Sequence, residues 1–291
     1  MSDGREERII YVTPGYRMIA LNAKNGQIVP SFGVNGVVDL KQDDDQEIDL
    51  VTGEVGSHSA PTVAGDTVIV GAAHRSGGVP RSRKNVKGYV RGFNVRTGKR
   101  LWIFHTIPKP GEFGYNTWEK DSADYTGNTG VWGQISIDEQ LNMAYLPVEL
   151  PTGDYYGGHR PGDGLFGESV VAVDLKTGQR KWHYQYVHHP IWNFDNSSSP
   201  ILMDINVNNL ATMNVIIDEL TNDVMVAKGH GNLKLKASTA GEFEMTGQVD
   251  IDQGNYNFNF QSLLRKPFRL YGGAGSYIRW TGDPYNAEMK V

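Results

Sequence analysis

One phrase recurs three times, and it restricts the fold of this chain more than any other feature. It reads Ala20-Leu21-Asn22-Ala23-Lys24-Asn25-Gly26, then Gly92-Phe93-Asn94-Val95-Arg96-Thr97-Gly98-Lys99-Arg100-Leu101-Trp102. The third copy is Ala172-Val173-Asp174-Leu175-Lys176-Thr177-Gly178-Gln179-Arg180-Lys181-Trp182. Each copy is an apolar strand, an Asn or Asp, a basic residue, Asn or Thr, a Gly, and then a second strand. Asn-Gly and Thr-Gly supply the positive φ that a tight hairpin requires. In the second and third copies a Trp follows the turn Gly by four residues, where it can pack between neighbouring sheets.

The turn glycines lie 72 and 80 residues apart, whereas a minimal propeller blade takes ~40–50 residues. Insertions therefore separate the strands: an acidic loop at 42–49, a basic stretch at 75–87 and a Gly/Tyr-rich stretch at 152–167. Two further strands, 67–71 and 143–147, each follow a turn signal, at 64–66 and 138–142. No amphipathic helix is evident before residue 206. The reading is all-β: sheet repeats with long loops.

Near Asn206 the pattern changes to period-2 alternation in 214–218, 224–227, 232–236 and 243–249, with Gly at 229, 231, 241, 247 and 254 between the segments. Tyr256-Asn257-Phe258-Asn259-Phe260 places aromatics on one face and amides on the other. Two readings stand: an antiparallel sheet with one wet face, or an elongated sheet whose apolar face lines a groove. The expected domains are 1–205 and 206–291.

Composition removes several function classes. There is no cysteine, so disulfides, thiolate zinc sites and cysteine nucleophiles are excluded. A formal net charge of −5 gives no reason to expect nucleic acid as a partner. No apolar run approaches the ~20 residues of a spanning helix. Residues 1–8 lack the apolar segment of a secretory signal, so the chain expressed as given would stay in the cytoplasm.

Five phrases in order carry a family resemblance: 21–26 followed by Phe32-Gly33; Ser59-Ala60-Pro61-Thr62-Val63; Tyr89-Val90-Arg91-Gly92-Phe93; Gly130-Val131-Trp132-Gly133; and His188-His189-Pro190-Ile191-Trp192-Asn193-Phe194-Asp195. Over residues 9–205 the chain resembles the pyrroloquinoline quinone (PQQ) dehydrogenases, on the side of the membrane glucose dehydrogenases. The resemblance implies a partial β-propeller of about three blades out of eight. It also implies PQQ and Ca²⁺ as cofactors, a sugar or alcohol substrate, a quinone electron acceptor and a periplasmic site of action.

That resemblance assigns roles to particular residues. Trp132, in Thr126-Gly127-Asn128-Thr129-Gly130-Val131-Trp132-Gly133, would be the floor on which the flat quinone stacks, the alternative being a core Trp between blades. Thr129 would be a second contact through its hydroxyl, and Gly71-Ala72 would lie at the cofactor. The family segment carrying the proton-abstracting carboxylate reads His-Asp-x-Trp-Asp; here Pro190 and Asn193 occupy the two Asp positions. An amide is no general base, which leaves Asp195, two residues on, as the candidate. Where the alcohol branch has a metal-binding Glu after Gly-Ala, this chain has Ala73 and then His74, and the family's adjacent cysteine pair is absent.

Asp43, Asp45, Glu47, Asp49 and Glu54 imitate EF-hand spacing, but Ile48 stands where that loop needs Gly. A solvated acidic loop is the expectation, and a mobile surface loop is the expectation for the basic stretch 75–87. In the tail, 241–247, 254–258, Lys266-Pro267-Phe268 and Trp280-Thr281-Gly282-Asp283-Pro284 resemble the C-terminal domain of TamB-type translocation and assembly proteins. That resemblance implies outer-membrane assembly partners. Material for three blades and an abrupt junction at 204–208 suggest a fusion of two gene fragments without dehydrogenase activity as given. The competing class is a non-enzymatic cell-envelope module.

Overall fold

A computed structural model describes residues 7–74, 84–151, 156–192, 194, 196–209, 211–218, 223–237, 243–260, 264–272, 275–283 and 286–290. The chain divides into two compact units, 1–200 and 201–291. Among the described residues no helix is long and apolar enough to cross a membrane.

The first unit is built from strands β1 (Arg8–Val12), β2 (Arg17–Asn22), β3 (Val37–Asp39), β4 (Val55–Gly56), β5 (Thr62–Ala64), β6 (Thr67–Val70), β7 (Ala73–His74), β8 (Val90–Asn94) and β9 (Arg100–Phe104). It continues with a single helical turn, α1 (Ser122–Tyr125), then β10 (Ser136–Asp138), β11 (Met143–Val148), β12 (Ser169–Asp174) and β13 (Arg180–Gln185). They form a three-stranded sheet β1-β2-β3, four-stranded sheets β5-β6-β8-β9 and β10-β11-β12-β13, and a small pair β4-β7, all antiparallel. The turn signals are met: Gly65 and Asn142 both take positive φ, and Asp138 Oδ1 accepts the Leu141 N–H.

The three copies of the phrase make the same turn. Gly26, Gly98 and Gly178 have φ of 71°, 71° and 68°, and their N–H groups donate to the carbonyls of Asn22, Asn94 and Asp174. The side-chain oxygens of those residues accept the N–H two residues on, from Lys24, Arg96 and Lys176. This is why the phrase demands Asn or Asp: a short side-chain acceptor fixes the loop from within.

The turns also join one sheet to the next. Gly33 N–H, beside the first sheet, donates to Thr97 O in the second turn at 2.8 Å, and Gly98 lies against Phe32 and Val38. In the same way Trp102 Nε1 on β9 donates to Leu175 O in the third turn at 2.9 Å. The indole lies between Gly92 and Gly178, where an added Cβ would meet it at 2.2 and 2.5 Å. Trp102 is 6% exposed and shares one apolar core with Phe104, Leu146 and Val173. Trp182 holds the matching place in the third sheet, opposite Ala172 as Trp102 is opposite Gly92.

The acidic loop departs from expectation. Arg91 on β8 is fully buried, and its Nε pairs at 2.8 Å with Asp44, whose side chain is 3% exposed. Its other nitrogens donate to Leu40 O and Gln42 O. Gln46 clasps Lys87 through both backbone groups, and Asp45 receives Arg100 and His105. The loop is a clamp on a buried guanidinium, because an unpaired charge in the core is far costlier than a paired one. Residues 75–83 of the basic stretch lie outside the described residues.

The second unit is one seven-stranded sheet: β14 (Ile201–Val207), β15 (Thr212–Asp218), β16 (Asp223–Ala237), β17 (Phe243–Phe260), β18 (Leu264–Tyr271), β19 (Tyr277–Gly282) and β20 (Glu288–Lys290). The long β16 and β17 form its spine; β14 and β15 share one edge of β16, and β18 and β19 share one edge of β17. Gly229, Gly231, Gly247 and Gly254, expected between strands, lie inside them, where neighbouring backbone passes too close for a side chain. Register shifts by one residue between Lys228 and Gly229, and a bulge of this kind bends a long sheet. Met225, Val249, Ile251, Ile278 and Trp280 are buried in one cluster, the apolar side of this elongated sheet. The unit starts at Ile201, and a boundary between 205 and 206 falls inside β14.

Two outcomes follow. Trp102→Ala should lower the unfolding free energy by about 3–5 kcal/mol, read by urea denaturation; a loss near zero would show that the sheets do not dock through this ring. Burial pushes the Asp44 carboxyl up to about 6 against the pull of Arg91. The folded state therefore keeps a proton there that the unfolded chain has released, and that contribution, present at low pH, is lost as pH rises through about 6. Relative to Asp44→Asn, the wild type should lose about 2–3 kcal/mol across that window; parallel stability profiles would refute the assignment.

Candidate functional site

Residues 126–133 thread between three other segments. Asn128 N–H donates to Val86 O and Asn128 O accepts from Gly88 N–H; Asn128 Nδ2 donates to Leu150 O at 2.9 Å. Asn128 and Thr129 are consecutive residues at positive φ, a conformation that persists only where the surroundings enforce it. The segment forms no strand; single bridges join Asn128 to Lys87 and to Pro151.

Glycine permits the crossing at two points. A Cβ on Gly130 would sit 2.0 Å from Ala72 O, and one on Gly71 would sit 2.0 Å from Val131 O. The structure thus brings Gly71, Ala72, Thr129 and Trp132 into one corner. Their exposures differ. Ala72 and Thr129 are buried, and the Thr129 hydroxyl donates to Gly127 O. Trp132 is half-buried, its ring edge-on to His58 with centroids 6.4 Å apart. It therefore presents indole surface to solvent, unlike the core tryptophans Trp102 and Trp118.

Asn193 and Asp195 lie outside the described residues. Their described neighbours Trp192, Phe194 and Asn196 belong to no strand. Asn196 Nδ2 donates to Val148 O and Ser169 O, and a Cβ on Gly133 would meet Ser197 O at 2.5 Å. This ties the end of the His188–Asp195 segment to the residue after Trp132. Upstream, buried Arg160 donates to Pro190 O at 2.7 Å, and His189 N–H donates to Asp163 O. The 156–167 insertion is thus the anchor of this segment.

A carboxylate outside the sequence motifs also reaches the corner. Glu149 is buried, its N–H donates to Gly130 O, and its Oε1 lies 3.3 Å from where a Gly130 Cβ would be. Its trace in the sequence is a single acid within the apolar run Tyr145-Leu146-Pro147-Val148-Glu149-Leu150-Pro151. Ala73 is buried in β7 and has no side-chain ligand atom.

The half-buried indole of Trp132 is the aromatic surface at this corner on which a planar ring would stack. Calcium asks for 6–8 oxygen ligands, and among the described residues no group of three or more His, Asp or Glu could hold a metal ion. Glu149 alone among the described carboxylates is placed at this corner by the contacts above.

Residues 2–223 match the family model of the PQQ glucose/ethanol/alcohol dehydrogenase β-propeller domain. The chain belongs to this family. As a PQQ dehydrogenase propeller it is 32% identical over 210 residues to quinoprotein glucose dehydrogenase of Escherichia coli K12, covering 72% of this chain and 25% of that protein. It is 34% identical to the quinate/shikimate dehydrogenase (quinone) of Acinetobacter baylyi, over 68% of this chain and 24% of the relative. The chain spans about a quarter of the length of the curated relatives it matches.

Among solved structures, the quinohemoprotein alcohol dehydrogenase of Comamonas testosteroni aligns with a TM-score of 0.55 at 15% identity, over 97% of this chain and 58% of that one. This likeness concerns the fold alone. Residues 193–291 match the TamB C-terminal domain, and the two family matches overlap at 193–223, which includes β14 and β15.

Proposed function

We propose that this chain supplies the quinone-stacking floor and consecutive blades of a PQQ-dependent enzyme that oxidises a sugar or alcohol hydroxyl. The observation that carries the reading is the half-exposed Trp132, set by the Gly71–Val131 and Gly130–Ala72 contacts in a propeller of this family. PQQ, when bound, accepts two electrons from the substrate carbon. Trp132 holds its ring by stacking. Glu149 and Asp195 are the carboxylates for proton removal from the substrate, since Asn193 cannot take a proton at neutral pH.

The same proposal holds that the chain alone does not turn over. Neither Glu149 nor Asp195 occupies the sequence position of the family's base, which carries Asn193; losing a base positioned there costs ~10²–10⁴-fold in rate, and Ala73 replaces the metal-binding acid of the alcohol branch. A second reading, a non-enzymatic cell-envelope module with outer-membrane assembly partners, draws on the TamB match and the 15- and 18-residue strands β16 and β17.

Titration of the purified chain with PQQ should quench Trp fluorescence saturably, and Trp132→Ala should remove that response. Dye reduction with glucose or short alcohols in the presence of Ca²⁺ should stay at background. Failure of PQQ to bind, or binding unchanged in Trp132→Ala, would refute the floor. Turnover lost in Trp132→Ala would refute the inactivity and keep the floor.

A further inference from the structure

The second unit carries a polar groove that neither family match explains. It holds about 710 Å³ and is lined by the β14–β15 connection, by Lys228, His230 and Asn232 of β16, and by Asp252 and Gln253 of β17. Among the described residues no Phe, Tyr or Trp lines it. Lys228 and His230, two apart on β16, share one face by strand alternation, and Asp252, the residue of β17 left unpaired at the register shift, also lines the groove. Asp252 accepts from His230 Nδ1 at 3.0 and 3.1 Å, which fixes the ring and leaves Nε2 as its other polar atom. Asn206 Nδ2 donates to Asn232 Oδ1 at 2.7 Å, so Asn232 keeps its own amide N–H groups as donors.

A carboxylate on Nδ1 suits two opposite tasks. It can prepare Nε2 as a metal ligand, or it can stabilise an imidazolium that donates from Nε2. Lys228 decides between them, since an ammonium in the same groove repels a cation and attracts an anion. With Asp252 committed to His230 and Asp250 accepting from Gln248 Nε2 at 2.6 Å, Lys228 and a protonated His230 are the cationic donors of the groove. We propose that this groove binds a phosphate group, through Lys228, His230 and the neighbouring amides. The charged groups facing His230 are Asp252 and Asp250 on β17 and Lys228 on its own strand. The Asp252 hydrogen bond, followed by the Asp252 and Asp250 charges, holds the imidazole pKa above its ordinary value. Binding is therefore strongest where His230 is protonated and weakens as pH rises past that point.

The test uses the full chain and inorganic phosphate, followed by calorimetry at mildly acidic and mildly alkaline pH. Saturable binding of roughly millimolar strength is expected at acidic pH. Lys228→Gln and His230→Gln should each weaken it roughly tenfold, the loss of one charge-assisted hydrogen bond. Lys228→Arg should retain it, and circular dichroism confirms that each variant is folded. Co-sedimentation with phosphatidylcholine vesicles, with and without phosphatidate, separates the sources. Capture that depends on phosphatidate and is lost in His230→Gln identifies a lipid headgroup, and phosphate binding without capture identifies a free phosphate. Absence of binding in both arms, equal affinity at both pH values, or affinity untouched by Lys228→Gln and His230→Gln would overturn the proposal.

Discussion

The architecture of the first unit depends on a hairpin turn resting on the sheet before it. Gly33 donates to Thr97 across one junction and Trp102 donates to Leu175 across the next. These bonds fix adjacent sheets at a set spacing, and the turn glycines make the contact close enough for an indole to lie flat against backbone. A sheet of three or four strands has a weak core alone. Docked face to face, Ile69 and Val90 of one sheet and Leu146 and Val171 of the next join a single buried cluster.

The Trp132 corner inherits its geometry from that docking and from the Arg91 clamp. The buried guanidinium gathers the 40–46 loop, Gln46 of that loop binds both backbone groups of Lys87, and Val86 and Gly88 hold Asn128. From Asn128 the chain runs directly into Trp132. Tyr16 adds a second tie, its hydroxyl donating to Gly71 O. A buried ion pair is weak support for stability in general. Here its effect is positional, since it orders an insertion that in turn orders the site.

What was legible in the sequence was local. The hairpin phrase specifies its own turn, because its acceptor side chain, positive-φ Gly and flanking strands lie within seven residues. The strand phase of the tail was legible for the same reason. The acidic loop was not, because its meaning comes from Arg91, 47 positions beyond Asp44. The glycines of β16 and β17 look like breaks along the chain; only the cross-strand neighbour, such as Gln248 O against Gly231, shows that they admit close backbone. Glu149 escaped because one acid in an apolar run carries no motif until Gly130 is placed beside it. The groove at His230 brings residues of β14, β16 and β17 together across the sheet, which no local pattern announces.

The central claim is that Trp132 is a cofactor floor and not a filler between blades. A crystal structure of the chain soaked with PQQ tests it most directly. The account predicts a planar ring parallel to the Trp132 indole at about 3.5 Å, with its rim toward Glu149. Ordered PQQ bound elsewhere, or an indole that stays packed against protein with no ring upon it at saturating ligand, would contradict the account.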